Sequence, residues 1–284
     1  MTTIGITGST GHVGNQTALT LARVKGEGDE LRLFARDPER APNVPGANVV
    51  VLDYGDEHDA VVKALGGVDV LFFVSAREEE NRLEQHRNLV RAAKDAGVVH
   101  VVYTSFIGAS PGSSFTLARE HGATEQAIRD AGLEHTFLRD NFYLDLLPFY
   151  AGQDGVIRGP AGEGRVAAVA RADVSDVASV VLADAGKHRG KVYDLTGREA
   201  LTFGEIAERA SASLGRDIRY HAETIEEAYE SRKQYNAPDW QVEAWVSTYT
   251  AIASGELAHV SGDVKALTGH EPRVLEDVIV GPSE

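Results

Sequence analysis

Residues 7–14 read Thr-Gly-Ser-Thr-Gly-His-Val-Gly, set between the strand-like start Thr3-Ile4-Gly5-Ile6 and a helix-like run. Strand, glycine loop and helix in immediate succession are the opening of a βαβ unit, and nothing else in the chain limits its fold so tightly. Gly8 lets the chain turn sharply after the strand, Gly11 lets the backbone come close to a pyrophosphate, and Gly14 lets the helix pack tightly on the strand. Thr7, Ser9, Thr10, His12 and Val13 complete the loop. A pyrophosphate would rest on the helix N-terminus, where free amides and the helix dipole favour negative charge. Glycines gather in ordinary turns too, so the weight of the reading lies in their placement.

Short apolar, β-branched runs then alternate with helical-period segments, the pattern of a parallel sheet covered on both faces. Strands are predicted at 3–7, 31–35, 48–52, 68–74, 100–105, 134–138 and 191–195, with helices at 12–25, 57–65, 78–96 and 115–131. Gly26, Gly66, Gly97 and Gly132 close these helices as left-handed caps. After Asn141 the regularity fades into a glycine-rich stretch at 152–164, followed by helical runs at 174–185, 203–214 and 239–253 and a final turn at 263–268. The expected fold is α/β: a doubly wound Rossmann-type parallel sheet with a smaller C-terminal substrate lobe. The chain reads as one unit over 1–284, with a core of about 1–140 plus 166–197 and a lobe of about 141–165 and 198–284.

Among the 284 residues, 28 are basic and 43 acidic, for a net charge of −15. That balance argues against a surface made for nucleic acid or anionic lipid, so any anion site must be local. The chain has no cysteine, which excludes disulfides, thiolate catalysis, iron–sulfur clusters and thiolate zinc sites. The histidines lack paired ligand spacing, and no metal is expected. The glycine loop follows the N-terminus without a basic or apolar leader, and runs such as 68–74 and 98–102 fall well short of the roughly 20 residues of a membrane helix. A cytoplasmic protein without a membrane partner is the expectation.

Arg36 follows the second strand, 22 residues after Gly14, near where a dinucleotide fold reads its adenosine ribose. An acid there would bind the 2′-hydroxyl of NAD; an arginine pairs with the 2′-phosphate of NADP through its planar charged fork. Asp37 complicates this, since a carboxylate turned inward would repel that phosphate, and a solvated Arg-Asp turn before Pro38 is the plainer reading. Asp53 and Tyr54 end the third strand, and Val74, Ser75 and Ala76 the fourth. Thr104 and Ser105 end the fifth, all on the edge where open α/β sheets bind ligands. Asp53 is placed to accept from an adenine amino group and Ser75 to line a ribose, while the simpler alternative is that each caps the next helix.

These residues carry a family resemblance. With Thr-Gly-x-x-Gly-x-x-Gly at 7–14, Val-Tyr-Thr-Ser at 102–105 and LAREHGATEQAIRDAGLEHTFLRDNFY at 117–143, the chain resembles the NmrA-like atypical short-chain dehydrogenases. Within them it is similar to the NAD(P)H:quinone oxidoreductase 2 and triphenylmethane reductase branch. Tyr193-Asp194-Leu195-Thr196-Gly197 and Leu267-Thr268-Gly269 extend the likeness over nearly the whole chain. The glycine motif is widespread; the His-x-x-x-Glu and Leu-Arg-x-Asn-x-Tyr pair is far more specific.

Standard short-chain dehydrogenases use Tyr-x-x-x-Lys on the helix after the fifth strand as a proton relay. Here that spacing reads Leu117-x-x-x-His121, and the literal match at Tyr229–Lys233 lies in the C-terminal lobe, by chance. The resemblance then implies NADPH held without a strong acid, which suits an acceptor that mainly needs hydride. It places His121 at the nicotinamide ribose, or as proton donor to the reduced acceptor, with an exposed His121–Glu125 pair as the alternative. It places Asn141 at the carboxamide or the acceptor oxygen and Tyr143 as a wall of the site, with Arg139 anchoring the strand end. Val242, Trp245, Tyr249 and Ile252 read as a core stripe. Tyr235 and Trp240 are candidates for a lid, and Phe142, Pro148, Phe149 and Tyr150 for an apolar pocket or plain lobe packing. The expected function is a flavin-independent NADPH oxidoreductase acting on a quinone or similar conjugated aromatic, with a homodimer as a compatible assembly. Two alternatives stand beside it: a non-catalytic NADP(H) sensor with a regulatory protein partner, and a reductase of triarylmethane dyes or other xenobiotics.

Overall fold

The computed structural model describes residues 1–279. Strand β1 (Thr3–Ile6) is buried along its whole length, and Gly5 is small because a side chain there would strike Phe34 and Val68. Helix α1 (His12–Val24) follows the glycine loop and buries Val13, Ala18 and Leu21. Next come β2 (Glu30–Ala35), β3 (Asn48–Val51), α2 (His58–Leu65), β4 (Val70–Phe73), α3 (Arg82–Asp95), β5 (His100–Phe106), α4 (Thr116–Asp130) and β6 (Glu134–Asp140). Strand β7 (Val156–Gly159), α5 (Arg171–Ala183), β8 (Lys191–Leu195), α6 (Phe203–Leu214) and β9 (Arg219–Ala222) continue the chain. Helices α7 (Ile225–Arg232), α8 (Asp239–Ala253), α9 (Asp263–Thr268) and α10 (Leu275–Val278) complete it.

Seven strands form one sheet in the order β3-β2-β1-β4-β5-β6-β8. Its pairings from β3 to β5 are parallel, with Ile4 aligned to Leu31 on one side and Val70 on the other. The chain moves outward from β1 to β2 and β3, then returns to place β4 on the other flank of β1. That reversal opens a crevice at the carboxyl ends of β1 and β4, where doubly wound folds bind their ligands. The expected fold class is therefore the one observed.

The chain divides into two compact units. The first comprises Met1–Ser105, His121–Arg139 and Val174–Tyr193. Its core gathers Phe34, Leu71, Phe73, Leu89, Tyr103 and Phe137. The second comprises Phe106–Glu120, Asp140–Asp173 and the chain from Asp194 onward. Its core includes Phe115, Leu147, Ile157, Phe203, Ile206, Tyr249 and Ile252, so Tyr249 and Ile252 of the α8 stripe are packing, as expected, while Val242 and Trp245 lie half-buried outside that core. Here Gly159 lies directly under the Tyr249 ring, which would be 2.3 Å from an added Cβ.

Several elements differ from expectation. Helix α3 starts at Arg82 rather than 78, and β6 runs on to Asp140. The glycine-rich stretch at 152–164 contains β7, which pairs in parallel with β9 as a separate two-stranded sheet. Neither strand, nor α7, is evident in the sequence. Among the described residues no helix is long and apolar enough to cross a membrane.

Candidate functional site

Gly8 adopts a left-handed φ of 59°, and a Cβ there would sit 3.0 Å from Val74 Cβ. A Cβ on Gly14 would come within 2.4 Å of the Gly8 carbonyl oxygen, so α1 can approach β1 this closely only through glycine. Gly11 would meet no more than that same oxygen, at 3.3 Å, and lies exposed. It caps α1 without a side-chain hydrogen bond, and the first turn holds no acidic residue. A helix start so placed suits the pyrophosphate of a dinucleotide, and these residues fit such a group. Thr10 and His12 stand at the loop surface while Val13 is buried. The hydroxyls of Thr7 and Ser9 turn inward: Thr7 Oγ1 donates to Phe72 O and accepts from Val74 N, and Ser9 Oγ donates to Phe34 O at 2.8 Å. They fasten the loop to β4 and β2.

Arg36 is exposed just past β2, with no hydrogen bond or ion pair to its guanidinium among the described residues. The Asp37 carboxylate instead accepts from Glu39 N at 3.1 Å and caps the short turn of Pro38–Arg40, so it is engaged locally. Asp53 likewise accepts from Gly55 N at 2.9 Å within its own turn. The Tyr54 hydroxyl lies 2.6 Å from Thr7 Oγ1 and 2.7 Å from Val74 O, joining the ends of β1, β3 and β4; burial raises its pKa. Ser75 N donates to Thr104 Oγ1 and Ala76 N to His86 Nε2, so the end of β4 is held from β5 and α3.

His121 is buried and fully engaged. Its Nε2 lies 2.9 Å from Arg82 Nη2 and its Nδ1 2.9 Å from Tyr103 Oη. A guanidinium only donates, so Nε2 accepts and Nδ1 carries the proton toward Tyr103. Burial, then the Arg82 charge, hold its pKa well below the usual imidazole range. This environment makes His121 a neutral brace, not a proton donor. The exposed pair with Glu125 does not form either: Glu125 is buried and clamps Arg139 through two hydrogen bonds at 2.8 and 2.7 Å, while accepting from Ser105 Oγ. Arg139 thus anchors its strand as expected. His86, whose Nδ1 lies 2.9 Å from Thr124 Oγ1, is a second neutral buried imidazole, its pKa lowered by burial and then by Arg82. Arg82 and His86 belong to none of the sequence motifs, although their i,i+4 spacing puts them on one face of α3.

In the second unit Asn141 is buried, donating to Leu257 O at 3.0 Å and accepting from Phe142 N at 2.8 Å. It ties two backbone segments together. Tyr143 is half-buried, with its hydroxyl 2.9 Å from Asp140 Oδ2. Phe142 packs with Phe106 and Phe115 at ring separations of 5.0 and 5.1 Å, and Pro148 is buried, whereas Phe149 and Tyr150 are exposed. Tyr229 and Lys233 lie at the surface, where Lys233 pairs with Glu230. Tyr235 is also exposed, and Trp245 packs edge-on against it.

The profile of the NAD(P)H-binding family matches residues 8–185, which begin in the glycine loop and run through α5. The chain belongs to this family. Its sequence is 32% identical to quinone oxidoreductase 2 of Escherichia coli over 97% of each chain. It is 31% identical to the NAD(P)H azoreductase of Xenophilus azovorans over 96% of this chain and 95% of the relative. The crystal structure of the Escherichia coli NADPH-dependent quinone oxidoreductase with NADPH superposes at a TM-score of 0.86, covering 96% of this chain and 97% of that one. Citrobacter triphenylmethane reductase with NADP(H) superposes at 0.83 and 31% identity, covering 97% and 98%. The NmrA regulator with NADP reaches 0.76 at 18% identity, covering 99% and 95%, a likeness of fold alone. The resemblance drawn from the 7–14, 102–105 and 117–143 motifs therefore holds for this NAD(P)H-binding chain.

Proposed function

We propose that the chain is an NADPH-dependent, flavin-independent oxidoreductase that passes hydride to a quinone or a similar conjugated aromatic acceptor. The observation that carries this reading is an exposed, uncommitted Arg36 at the ribose-reading position of a glycine cradle, in a chain similar end to end to an NADPH-dependent quinone oxidoreductase. When bound, the nicotinamide supplies hydride. Gly8, Gly11 and Gly14 let the backbone meet the pyrophosphate, and Arg36 pairs with the 2′-phosphate. The ends of β3, β4 and β5, at Asp53, Tyr54, Val74–Ala76, Thr104 and Ser105, act as a pre-tightened rim more than as individual ligands, because most of their polar groups are already engaged with one another. His121 serves as a neutral brace and Asn141 as a fixed corner beside Tyr143. Rate enhancement then comes chiefly from proximity and orientation.

Purified protein mixed with NADPH and small quinones should consume NADPH only when the quinone is present. Cofactor binding without such loss across several quinones would sink the reading. A dye as acceptor is the second reading, favoured by the similarity to an azoreductase and a triphenylmethane reductase. The two acceptors differ chemically: a cationic triarylmethane becomes neutral on taking hydride, while a quinone becomes an anion that still needs a proton. The net charge of −15 supports neither nucleic acid nor anionic membrane as a partner, and the cytoplasm is the compartment we assign.

A further inference from the structure

Asp140 closes β6 at the carboxyl edge of the sheet, the edge on which this fold class binds ligands. Its side chain is buried at 3% exposure, with Oδ2 against the Tyr143 hydroxyl at 2.9 Å. Its Oδ1 is buried without a hydrogen-bond partner among the described residues. Tyr143 is fixed in place because Phe142 O and Leu144 N pair with the Val169 backbone on either side of it. The charged groups nearest the pair do not neutralise it: Arg171 is bound to Asp145 through both its side chain and its backbone amide. A carboxylate with an orphaned oxygen and no cation is costly to bury, whereas a neutral carboxylic acid in the same place is not. The cheapest arrangement puts the acid proton on Oδ2, donating to Tyr143 Oη, and leaves Oδ1 as the carbonyl oxygen. Tyr143 O–H is then free to point away from Asp140.

We propose that Asp140 and Tyr143 form the proton source for the reduced acceptor, Tyr143 delivering the proton and Asp140 acting as its reservoir. This rests on the quinone-reductase reading and on the resemblance, which implies Tyr143 as a wall of the site. A quinone that has taken hydride holds two more electrons and one negative oxygen. The Tyr143 O–H bond breaks toward that oxygen, giving the neutral hydroquinone, while the Asp140 Oδ2 proton moves to Tyr143 Oη. Asp140 is left as a carboxylate accepting from Tyr143, and it regains one proton from solvent before the next turnover. Burial pushes the Asp140 carboxyl up to about 8, so the reservoir is filled at neutral pH. The resemblance implies no strong acid, because the Tyr-x-x-x-Lys relay belongs on α4 and a carboxyl at the end of β6 lies outside that pattern.

The test compares wild type with Asp140→Asn and Tyr143→Phe. Infrared spectra of the protein without cofactor should show a protonated carboxyl band that titrates near pH 8 and is absent in Asp140→Asn. Quinone-dependent NADPH oxidation by the wild type should fall as pH rises through about 8. In both variants it should be about 100-fold slower at pH 7, with that limb lost, while NADPH binding followed by fluorescence stays intact. A cationic triarylmethane dye, which needs no proton, should lose far less than the quinone does. Wild-type turnover with an unchanged rate and pH profile in Asp140→Asn, or equal losses on quinone and dye, would overturn the proposal and leave the quinone-reductase reading standing. A wild type that binds NADPH, shows the carboxyl band and reduces no quinone would overturn both. If Asp140→Asn does not fold, Tyr143→Phe decides the matter by the same rates, with its carboxyl band retained.

Discussion

An arginine at the end of β2 distinguishes two cofactors that differ by one phosphate, because its fork gains charge-assisted hydrogen bonds only when that phosphate is present. Arg36 is exposed and carries no ion pair among the described residues that would have to break first, and Asp37 is engaged in its own turn. Arg36→Ala should therefore weaken NADPH by roughly 1.5–3 kcal/mol and leave NADH nearly unchanged. Fluorescence titration of both cofactors checks this, and equal losses would remove Arg36 from phosphate reading. At this scale the sequence was legible in residue type and position but not in direction. Thr7, Ser9, Asp53, Thr104, Ser105 and Asn141 all lie where the motifs put them, yet their side chains bond to neighbouring backbone or side-chain groups. A hydroxyl on a strand end can satisfy itself inward or wait for a ligand, and local sequence does not distinguish the two. Asp140 is the converse case: its importance comes from being buried beside a single hydroxyl, which no spacing rule anticipates.

Elements show the same division. The strands of the main sheet and helices α1, α2 and α4 follow the hydrophobic period closely, since each buries one broad face in a core. Strands β7 and β9 have four residues each and were unreadable, because a four-residue strand beside glycines offers no period to detect. Helix α7 has an acidic first turn and buries only Ala228 and Arg232, so its apolar signal is weak although Thr224 and Glu227 form a complete capping box. The glycine loop separates packing from binding at the level of an element. Gly14→Ala drives a methyl into the Gly8 carbonyl and must push α1 off β1, at a cost on the order of 1–3 kcal/mol. Its thermal midpoint and its NADPH affinity should fall together. Gly11→Ala brings its methyl to 3.3 Å from the Gly8 carbonyl oxygen, a milder contact than at Gly14, on the helix start expected to meet the pyrophosphate, so affinity should fall with a smaller change in midpoint. Melting curves and cofactor titrations of the two proteins check the contrast; a Gly14→Ala protein as stable as wild type would mean that α1 can yield at that point.

Buried titratable groups set the stability of the whole molecule against pH, and here they pull in opposite directions. His86 and His121 are held neutral by burial well below the usual imidazole range, and burial brings His100 down to about 4. The unfolded chain protonates these rings near 6.5 while the folded one resists, so the stability they confer is present above that pH and lost as pH falls. Asp140 behaves in the opposite sense. Its folded form keeps a proton, up to about pH 8, that the unfolded chain releases near 4, so its contribution is complete at low pH and disappears as pH rises through about 8. Burial raises Asp173 in the same sense. Each proton changes stability by about 1.4 kcal/mol per pH unit. Between about 4 and 6.5 three histidines outweigh the acids and stability climbs; above 6.5 the histidines are silent and Asp140 makes it decline by about 2 kcal/mol before levelling off near 8. The thermal midpoint of the protein without cofactor should accordingly peak near pH 6.5. Asp140→Asn keeps the shape and cannot titrate, so it should retain the acid limb and lose most of the decline above the peak. Scanning calorimetry of both proteins from pH 5 to pH 9 checks this. A wild-type midpoint that keeps rising through pH 8, or a variant whose curve coincides with it, would mean that Asp140 is ionised in the folded protein and holds no proton to give.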